Sequence, residues 1–226
     1  MIQSLKSILL NNRKGIFITA TGTEVGKTYV SSLLINTLKK ENINVGYYKP
    51  ALSGVDIVKE KAIAGDANYI CKTCNIDTDP NSLVSYIYKT EVSPHLASVI
   101  ENNPISLSKI LSDYEKHKKE HEFLVVEGCG GIICPLNLNS ENLMLTDVIK
   151  ALNLDIIIVA NASLGTINST ILTIEYAKAL NINIVGIILN RYDESNFLHI
   201  DNKISLEKLT DIPILTCILE NDELSS

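Results

Sequence analysis

Ile16-Phe17-Ile18-Thr19-Ala20-Thr21-Gly22-Thr23-Glu24-Val25-Gly26-Lys27-Thr28 decides how the rest of the chain is read. A short apolar run leads into a Gly/Thr loop ending in Gly-Lys-Thr. Apolar Val30, Leu33, Leu34 and Leu38 then recur at the spacing of one helical face. Strand, glycine loop and helix in that order predict a P-loop, in which successive backbone N–H groups and the helix N-terminus cradle phosphate oxygens. In such a loop the lysine, here Lys27, reaches the β- and γ-phosphates, and the hydroxyl of Thr28 holds Mg²⁺. The strict spacing asks for glycine five residues before Gly26. Thr21 stands there, and Gly22 is one residue closer.

The 226 residues suffice for one large α/β domain with a sizeable core, and a single P-loop domain over 1–226 is expected. A formal net charge of −6 argues against an extended nucleic-acid surface. The only basic run, Lys116-His117-Lys118-Lys119, closes a helical pattern, where positive charge complements the helix dipole. No apolar stretch approaches the ~20 residues that span a bilayer. Ile8-Leu9-Leu10, followed by Asn11-Asn12-Arg13-Lys14, is too short for a secretion signal and carries its charges on the wrong side. Cys71 and Cys74 in CxxC spacing, with Cys129 and Cys134, could supply a zinc site. The histidines are scattered and no compact knuckle surrounds either pair, so reduced cytosolic thiols are the better reading. A cytoplasmic chain with neither a nucleic-acid nor a membrane partner is expected.

Six apolar runs alternate with helical patterns: Gly15–Thr19, Asn44–Tyr48, Phe123–Glu127, Asp155–Ala160, Asn183–Leu189 and Ile212–Cys217. Their near-continuous Ile, Val and Leu is how strands read when helices cover both sheet faces. The fold class expected is therefore α/β: a doubly wound, mainly parallel sheet with helices on both faces, of P-loop NTPase type. Ligands in such sheets bind at the carboxyl ends of the strands, so chemistry is sought there. After the second run, Pro50 should end the strand and Gly54 should permit a tight turn, leaving Lys49 facing the crevice. Position alone allows a solvated lysine as readily as a ligand group. Asp66 opens a short helical pattern as a cap or a Mg²⁺ ligand. Ser93-Pro94-His95 starts another helix, with His95 as a cap or a ligand contact.

Glu127 closes the third strand just before Gly128-Cys129-Gly130-Gly131, and a simple turn explains the glycines but not the acid. A metal-associated carboxylate explains the acid, and the glycines after it let backbone approach a ligand closely. Asn161 to Asn168 lead from the fourth strand into a helix with Ile167, Ile171 and Ile174 on one face. The N-terminus of that helix is an anion site, or is capped by Ser163 or Thr166. Tyr192 to Asn202 read as polar and irregular, and Glu220 to Ser226 as an acidic tail.

Taken together, these motifs resemble the dethiobiotin synthetases of the biotin pathway. The family loop Gly-Thr-x-Thr-x-Val-Gly-Lys-Thr appears as Ala20 to Thr28, and Tyr-Lys-Pro-x-x-Ser-Gly as Tyr48 to Gly54. Ser-Pro-His appears as Ser93 to His95, Glu-Gly-x-Gly-Gly as Glu127 to Gly131, and Leu-Gly-x-Ile-Asn as Leu164 to Asn168. Five motifs stand in register over residues 15 to about 191. The resemblance implies a homodimeric ligase that uses ATP and Mg²⁺ to close a cyclic urea on 7,8-diaminononanoate and CO₂, through a carbamate and a carbamic–phosphoric anhydride. It implies Lys27 and Lys49 as catalytic groups beside the phosphate and carbamate charges, and Thr28, Asp66 and Glu127 around Mg²⁺. The nucleotide would meet Glu24, Val25, Gly26, Lys27, Thr28, Tyr29, Asp66, Glu127, Gly128, Cys129, Gly130, Asn190 and Arg191. Thr23 and Ser53, with Glu24, would position the carbamate end of the substrate. Leu164, Gly165, Thr166 and Ile167 of the neighbouring subunit would bind the substrate carboxylate.

Three departures from the family pattern stand out. Ala20 replaces the first loop glycine, no tail-binding tyrosine aligns after the fifth strand, and Pro213 to Glu220 lack the Gly-x-Ile/Leu-Pro turn of the base pocket. The rival from another class is a partition- or division-type ATPase switch. Its signature lysine early in the P-loop is missing from positions 20 to 25.

Overall fold

The computed structural model describes residues 9–11, 13–58 and 61–219, so the Glu220–Ser226 tail and most of the segment before Arg13 lie outside the described residues. Eleven strands are present among the described residues: β1 (Gly15–Ala20), β2 (Val45–Ser53), β3 (Asp56–Val58), β4 (Lys61–Ile63), β5 (Val84–Tyr88), β6 (Phe123–Glu127), β7 (Pro135–Asn137), β8 (Leu143–Met144), β9 (Ile156–Asn161), β10 (Ile184–Tyr192) and β11 (Ile214–Leu219). The helices are α1 (Lys27–Lys40), α2 (Gly65–Thr73), α3 (Pro94–Ile100), α4 (Leu107–Glu120), α5 (Leu145–Leu152), α6 (Thr166–Ala179) and α7 (Phe197–Leu209).

Seven strands form one sheet in the order β11-β10-β9-β1-β6-β2-β5, and every pairing in it is parallel. β1 lies at its centre, between β6 and β9, where the winding reverses direction. That reversal opens a crevice at the carboxyl ends of the strands. Alternation along β1 sends Ile16 and Ile18 into one core with Val30, Leu34 and Leu38 of α1 and Ile70 of α2. Phe17 enters the opposite core with Ile110 of α4, Val148 of α5 and Ile174 of α6. Both faces are covered, which is why β1, β6 and β9 are apolar at nearly every position. Among the described residues, no helix is long and apolar enough to cross a membrane.

Four local expectations are corrected. Pro50 does not end β2, which runs on to Ser53. Pairing with β6 stops at Tyr48, and pairing with β5 takes over from Lys49, so the missing proline N–H interrupts nothing. A seventh sheet strand, β5, was not expected. It is a five-residue edge strand with the buried/half-buried alternation of Val-Ser-Tyr-Ile-Tyr, whereas the other strands read as apolar runs. The stretch Tyr192–Asn202 is ordered: Tyr192 ends β10, and Asn196 caps α7 by accepting the Leu198 N–H at 3.0 Å. Helix α6 buries Thr166, Thr170 and Thr173 beside Ile174, while Ile167 and Ile171 are only half-buried.

Candidate functional site

The carboxyl ends of β2, β6 and β10, the segments following β1, β5 and β6, and the starts of α1 and α2 line a cavity of about 520 Å³. Twelve of the residues expected from sequence line it: Thr23, Glu24, Gly26, Lys27, Thr28, Lys49, Ser53, Asp66, Glu127, Cys129, Gly130 and Arg191. Leu52 and Glu91 line it as well and were not anticipated.

The Lys49 ammonium organises the floor of the cavity. Its Nζ stands 2.7 Å from Glu127 Oε1 and 2.7 Å from Asp66 Oδ2. Lys49 is only 3% exposed, which settles its reading against a solvated lysine. Burial alone would push its pKa down, but the Glu127 and Asp66 carboxylates more than reverse this and hold it well above the usual lysine range. Glu127, fully buried, accepts three hydrogen bonds: from Lys49, from Thr28 Oγ1 at 2.8 Å and from the Tyr47 hydroxyl at 3.0 Å. Such complete satisfaction is what allows a carboxylate to sit in the core. Burial works to raise the Asp66 carboxyl. Lys49, by charge and hydrogen bond, together with Thr28 and Lys27, brings it below its ordinary value. Tyr47 was missed from sequence although a signal exists: two residues before Lys49 on one strand, it must face the same side.

Lys27, mostly buried, donates to the Gly22 carbonyl at 3.2 Å. Burial, and then the like charge of Lys49, lowers its pKa. The loop ahead of it is held from behind. The Asn190 side-chain amide donates to the Val25 carbonyl at 2.9 Å. Gly26 caps α1 at φ +92, and a Cβ there would lie 2.1 Å from Asn190 Nδ2. Glycine is therefore required twice at this position, by backbone conformation and by space.

Other expected residues sit elsewhere. Val25 is buried in the core and Tyr29 packs partly against it. Gly128 leaves the cavity lining but places its carbonyl 3.5 Å from Lys49 Nζ. Asn190 is buried behind the P-loop. The segment Leu164–Ile167 opens α6 outside the cavity lining, with Leu164 84% exposed and Gly165 as the N-cap without a side-chain bond. Neither Ser163 nor Thr166 caps that helix. Asp66 does not cap α2 either; Ala64 holds that place and Asp66 sits in the first turn. His95 follows the start of α3, does not line the cavity, and its buried Nδ1 has no hydrogen-bond partner.

Thr28, Asp66 and Glu127 present hard oxygen donors in one corner, where the Lys49 ammonium bridges the two carboxylates and the Thr28 hydroxyl hydrogen-bonds to both. That set fits Mg²⁺, which takes one or two carboxylates and completes its shell with water and substrate phosphates. The zinc alternative finds no support. Among the described residues no group of three or more His, Cys, Asp or Glu side chains could hold a metal, and Cys74 donates instead to the Ser32 carbonyl at 3.6 Å. Cys129 interacts with Cys134, and that hydrogen bond, with the nearby Lys49 and Lys27, holds the Cys129 thiol below its usual range.

A family model described as an AAA domain matches residues 14–226. Among curated proteins, the ATP-dependent dethiobiotin synthetase BioD of Clostridium botulinum (strain Eklund 17B / Type B) is 52% identical over 204 residues, 90% of each chain. The synthetase of the same name from strain Loch Maree / Type A3 is 49% identical over 211 residues, 93% of each chain. Among solved structures, a ParA family ATPase from Chlorobium tepidum TLS aligns with a TM-score of 0.57 at 15% identity, covering 93% of this chain and 86% of that one. The MinC:MinD cell division complex of Aquifex aeolicus gives 0.54 at 16% identity, covering 94% and 84%. At such identities the likeness speaks for the fold alone.

Proposed function

The chain belongs to the family of ATP-dependent dethiobiotin synthetases and is an ATP-dependent ligase; from that premise we propose the reaction and the role of each residue. The substrates are 7,8-diaminononanoate, CO₂ and a nucleoside triphosphate, ordinarily ATP. An uncharged amine of the diamine attacks CO₂ to give a carbamate. A carbamate oxygen attacks the γ-phosphate, the bond from its phosphorus to the β–γ bridging oxygen breaks and ADP leaves, giving a carbamic–phosphoric anhydride. The second amine attacks the anhydride carbonyl, the urea ring closes and phosphate leaves.

Phosphoryl transfer of this kind needs positioning and charge neutralisation more than covalent help. The observation that best supports the reading is the buried Lys49 bridging Glu127 and Asp66 beside the P-loop lysine. Lys49 stays cationic through the working pH range and neutralises carbamate and transferring phosphoryl oxygens. Lys27 carries a charge that burial and Lys49 disfavour, and arriving phosphate relieves that repulsion. The residues of the P-loop from Glu24 to Tyr29 bind the triphosphate, mainly through backbone, with Gly128 to Gly130 and Arg191 along its other side. Asn190 serves it by holding the Val25 carbonyl. Thr23 and Ser53, with Glu24, position the carbamate. Thr28, Asp66 and Glu127 would hold Mg²⁺, which when bound neutralises phosphate charge.

The substrate carboxylate docks at the N-terminus of α6 in a neighbouring subunit, around Gly165 to Ile167. Exposed apolar Leu164 beside uncapped N–H groups supports such an interface. A homodimer in the cytoplasm and a single domain over 1–226 complete the proposal. The test is phosphate release with ATP, bicarbonate and the diamine, together with detection of the cyclic urea by mass. Phosphate release that ignores the diamine would overturn it.

A further inference from the structure

One acidic side chain of the cavity has no role in this scheme. Glu127 and Asp66 are committed to Lys49, and Glu24 belongs to the P-loop. Glu91 lines the same cavity from the loop between β5 and α3, beside Leu52 and Ser53 at the end of β2. Its carboxylate makes no hydrogen bond or ion pair among the described residues.

The position of Glu91 is nonetheless fixed. Gly54, at φ +80, lies directly beneath it: a Cβ there would stand 3.1 Å from Glu91 Cγ and 3.3 Å from Glu91 Cβ. The missing side chain is a slot for the stem of Glu91. On either side the loop is pinned, by the Thr90 N–H donating to Glu101 Oε1 at 2.8 Å and the Val92 N–H donating to the Thr90 carbonyl at 3.1 Å. A held but uncommitted carboxylate in a cavity lined by charges of both signs is suited to a positively charged substrate group.

The reaction supplies one. Aliphatic amines have pKa values near ~10, so the diamine arrives with ammonium groups, and an ammonium nitrogen has no lone pair with which to attack. We propose that Glu91 receives one ammonium group of the diamine and takes its proton as the urea ring closes. This rests on the reading that the cavity receives a diamine. Glu91 removes one proton from the waiting ammonium, and the freed lone pair forms the C–N bond at the anhydride carbonyl. The C–O bond to the phosphoryl group breaks, the second nitrogen proton leaves with the released phosphate, and Glu91, exposed at the rim, returns its proton to solvent. The other charged groups facing the cavity are Glu24, Lys27, Lys49, Asp66, Glu127 and Arg191, with Lys89 and Glu101 behind the loop.

The test compares wild type, Glu91→Gln and Glu91→Asp by steady-state kinetics between about pH 7 and 9, a window below the ordinary amine pKa. At neutral pH, kcat/KM for the diamine should fall about a hundredfold in Glu91→Gln, the low end of what a placed general base contributes. KM for ATP should not change, and Glu91→Asp should recover part of the loss. The deficit should shrink as pH rises, because the substrate then arrives already deprotonated. A Glu91→Gln enzyme with the wild-type diamine kcat/KM overturns the proposal. So does a deficit that is constant across pH and no smaller in Glu91→Asp, which would mark a merely structural role. If wild type itself shows no diamine-dependent phosphate release, the functional reading fails instead.

Discussion

Replacing Lys49 by Met keeps most of the side chain's length and removes its charge. Glu127, at 0% exposure, would keep the hydrogen bonds from Thr28 and Tyr47 but lose its counter-charge. Stranding one member of a buried pair costs about 3–5 kcal/mol. Asp66, whose side chain is 38% exposed, regains water and adds little to this loss. In a chain of this size each kcal/mol moves Tm by about 2–4 °C, so a fall of about 6–20 °C is expected. Turnover should fall separately by at least about a hundredfold, the usual cost of removing a group that stabilises transition-state charge. The combined variant Lys49→Met/Glu127→Gln removes the stranded charge as well, and should regain most of the stability while remaining inactive. Thermal unfolding and phosphate release on the three proteins read both quantities. A Lys49→Met protein that melts like wild type, or a double variant no more stable than the single, would refute the reasoning. The pH dependence also has a definite sign. Lys49's folded pKa is raised, so its contribution is complete below the unfolded lysine value and lost as pH climbs through the higher folded one. Asp66's is lowered, so its contribution is present above the unfolded value and lost as pH falls through the folded one. Between those limits, across about pH 5 to 9, stability from this cluster should be flat.

Lys27 should behave in the opposite sense. Its folded pKa is depressed, so folding is penalised while the group is charged and relieved as pH rises. Lys27→Met should melt at or above the wild-type temperature while losing about 10²–10³ in turnover; a lower Tm would contradict this. Because the Asn190 amide is engaged on the Val25 carbonyl rather than free for a base edge, GTP and CTP should support turnover within about a hundredfold of ATP in kcat/KM. A much stronger ATP preference in parallel kinetics would show a base pocket built by other residues. If the substrate carboxylate docks across a dimer, specific activity should drop on dilution in step with dissociation measured by sedimentation, and a fully active monomer would exclude it.

Much of this molecule was legible because its chemistry is local in sequence. Gly26-Lys27-Thr28 at a strand–helix junction, Lys49 near a strand end and Glu127 closing an apolar run each announce themselves through an odd residue in a regular pattern. The sheet order follows from burying both faces. What escaped depends on partners distant in sequence. Whether Lys49 is solvated or buried is decided by Glu127, 78 residues away. Pro50 looked terminal because sequence cannot tell that pairing on one side of β2 has already ended. Helix α7 was hidden because it buries Asn202 as well as Leu206 and exposes Phe197 and Leu209, which erases the apolar stripe. Glu91 belongs to no motif, and only the slot over Gly54 singles it out.

The clasp between Asn190 and the loop at Val25 and Gly26 carries a consequence for how the chain comes into being. The two partners are 165 residues apart, and β1 itself pairs only with β6 and β9. During synthesis the P-loop emerges early, yet its backing arrives only after most of the polypeptide has left the ribosome. At about 5–20 residues per second that wait is on the order of ten seconds or more. Nucleotide therefore cannot template the early steps, and contacts of such long sequence separation place this fold among the slow ones. A nascent chain halted before residue 190 should lack nucleotide affinity although it already carries Gly26, Lys27 and Thr28.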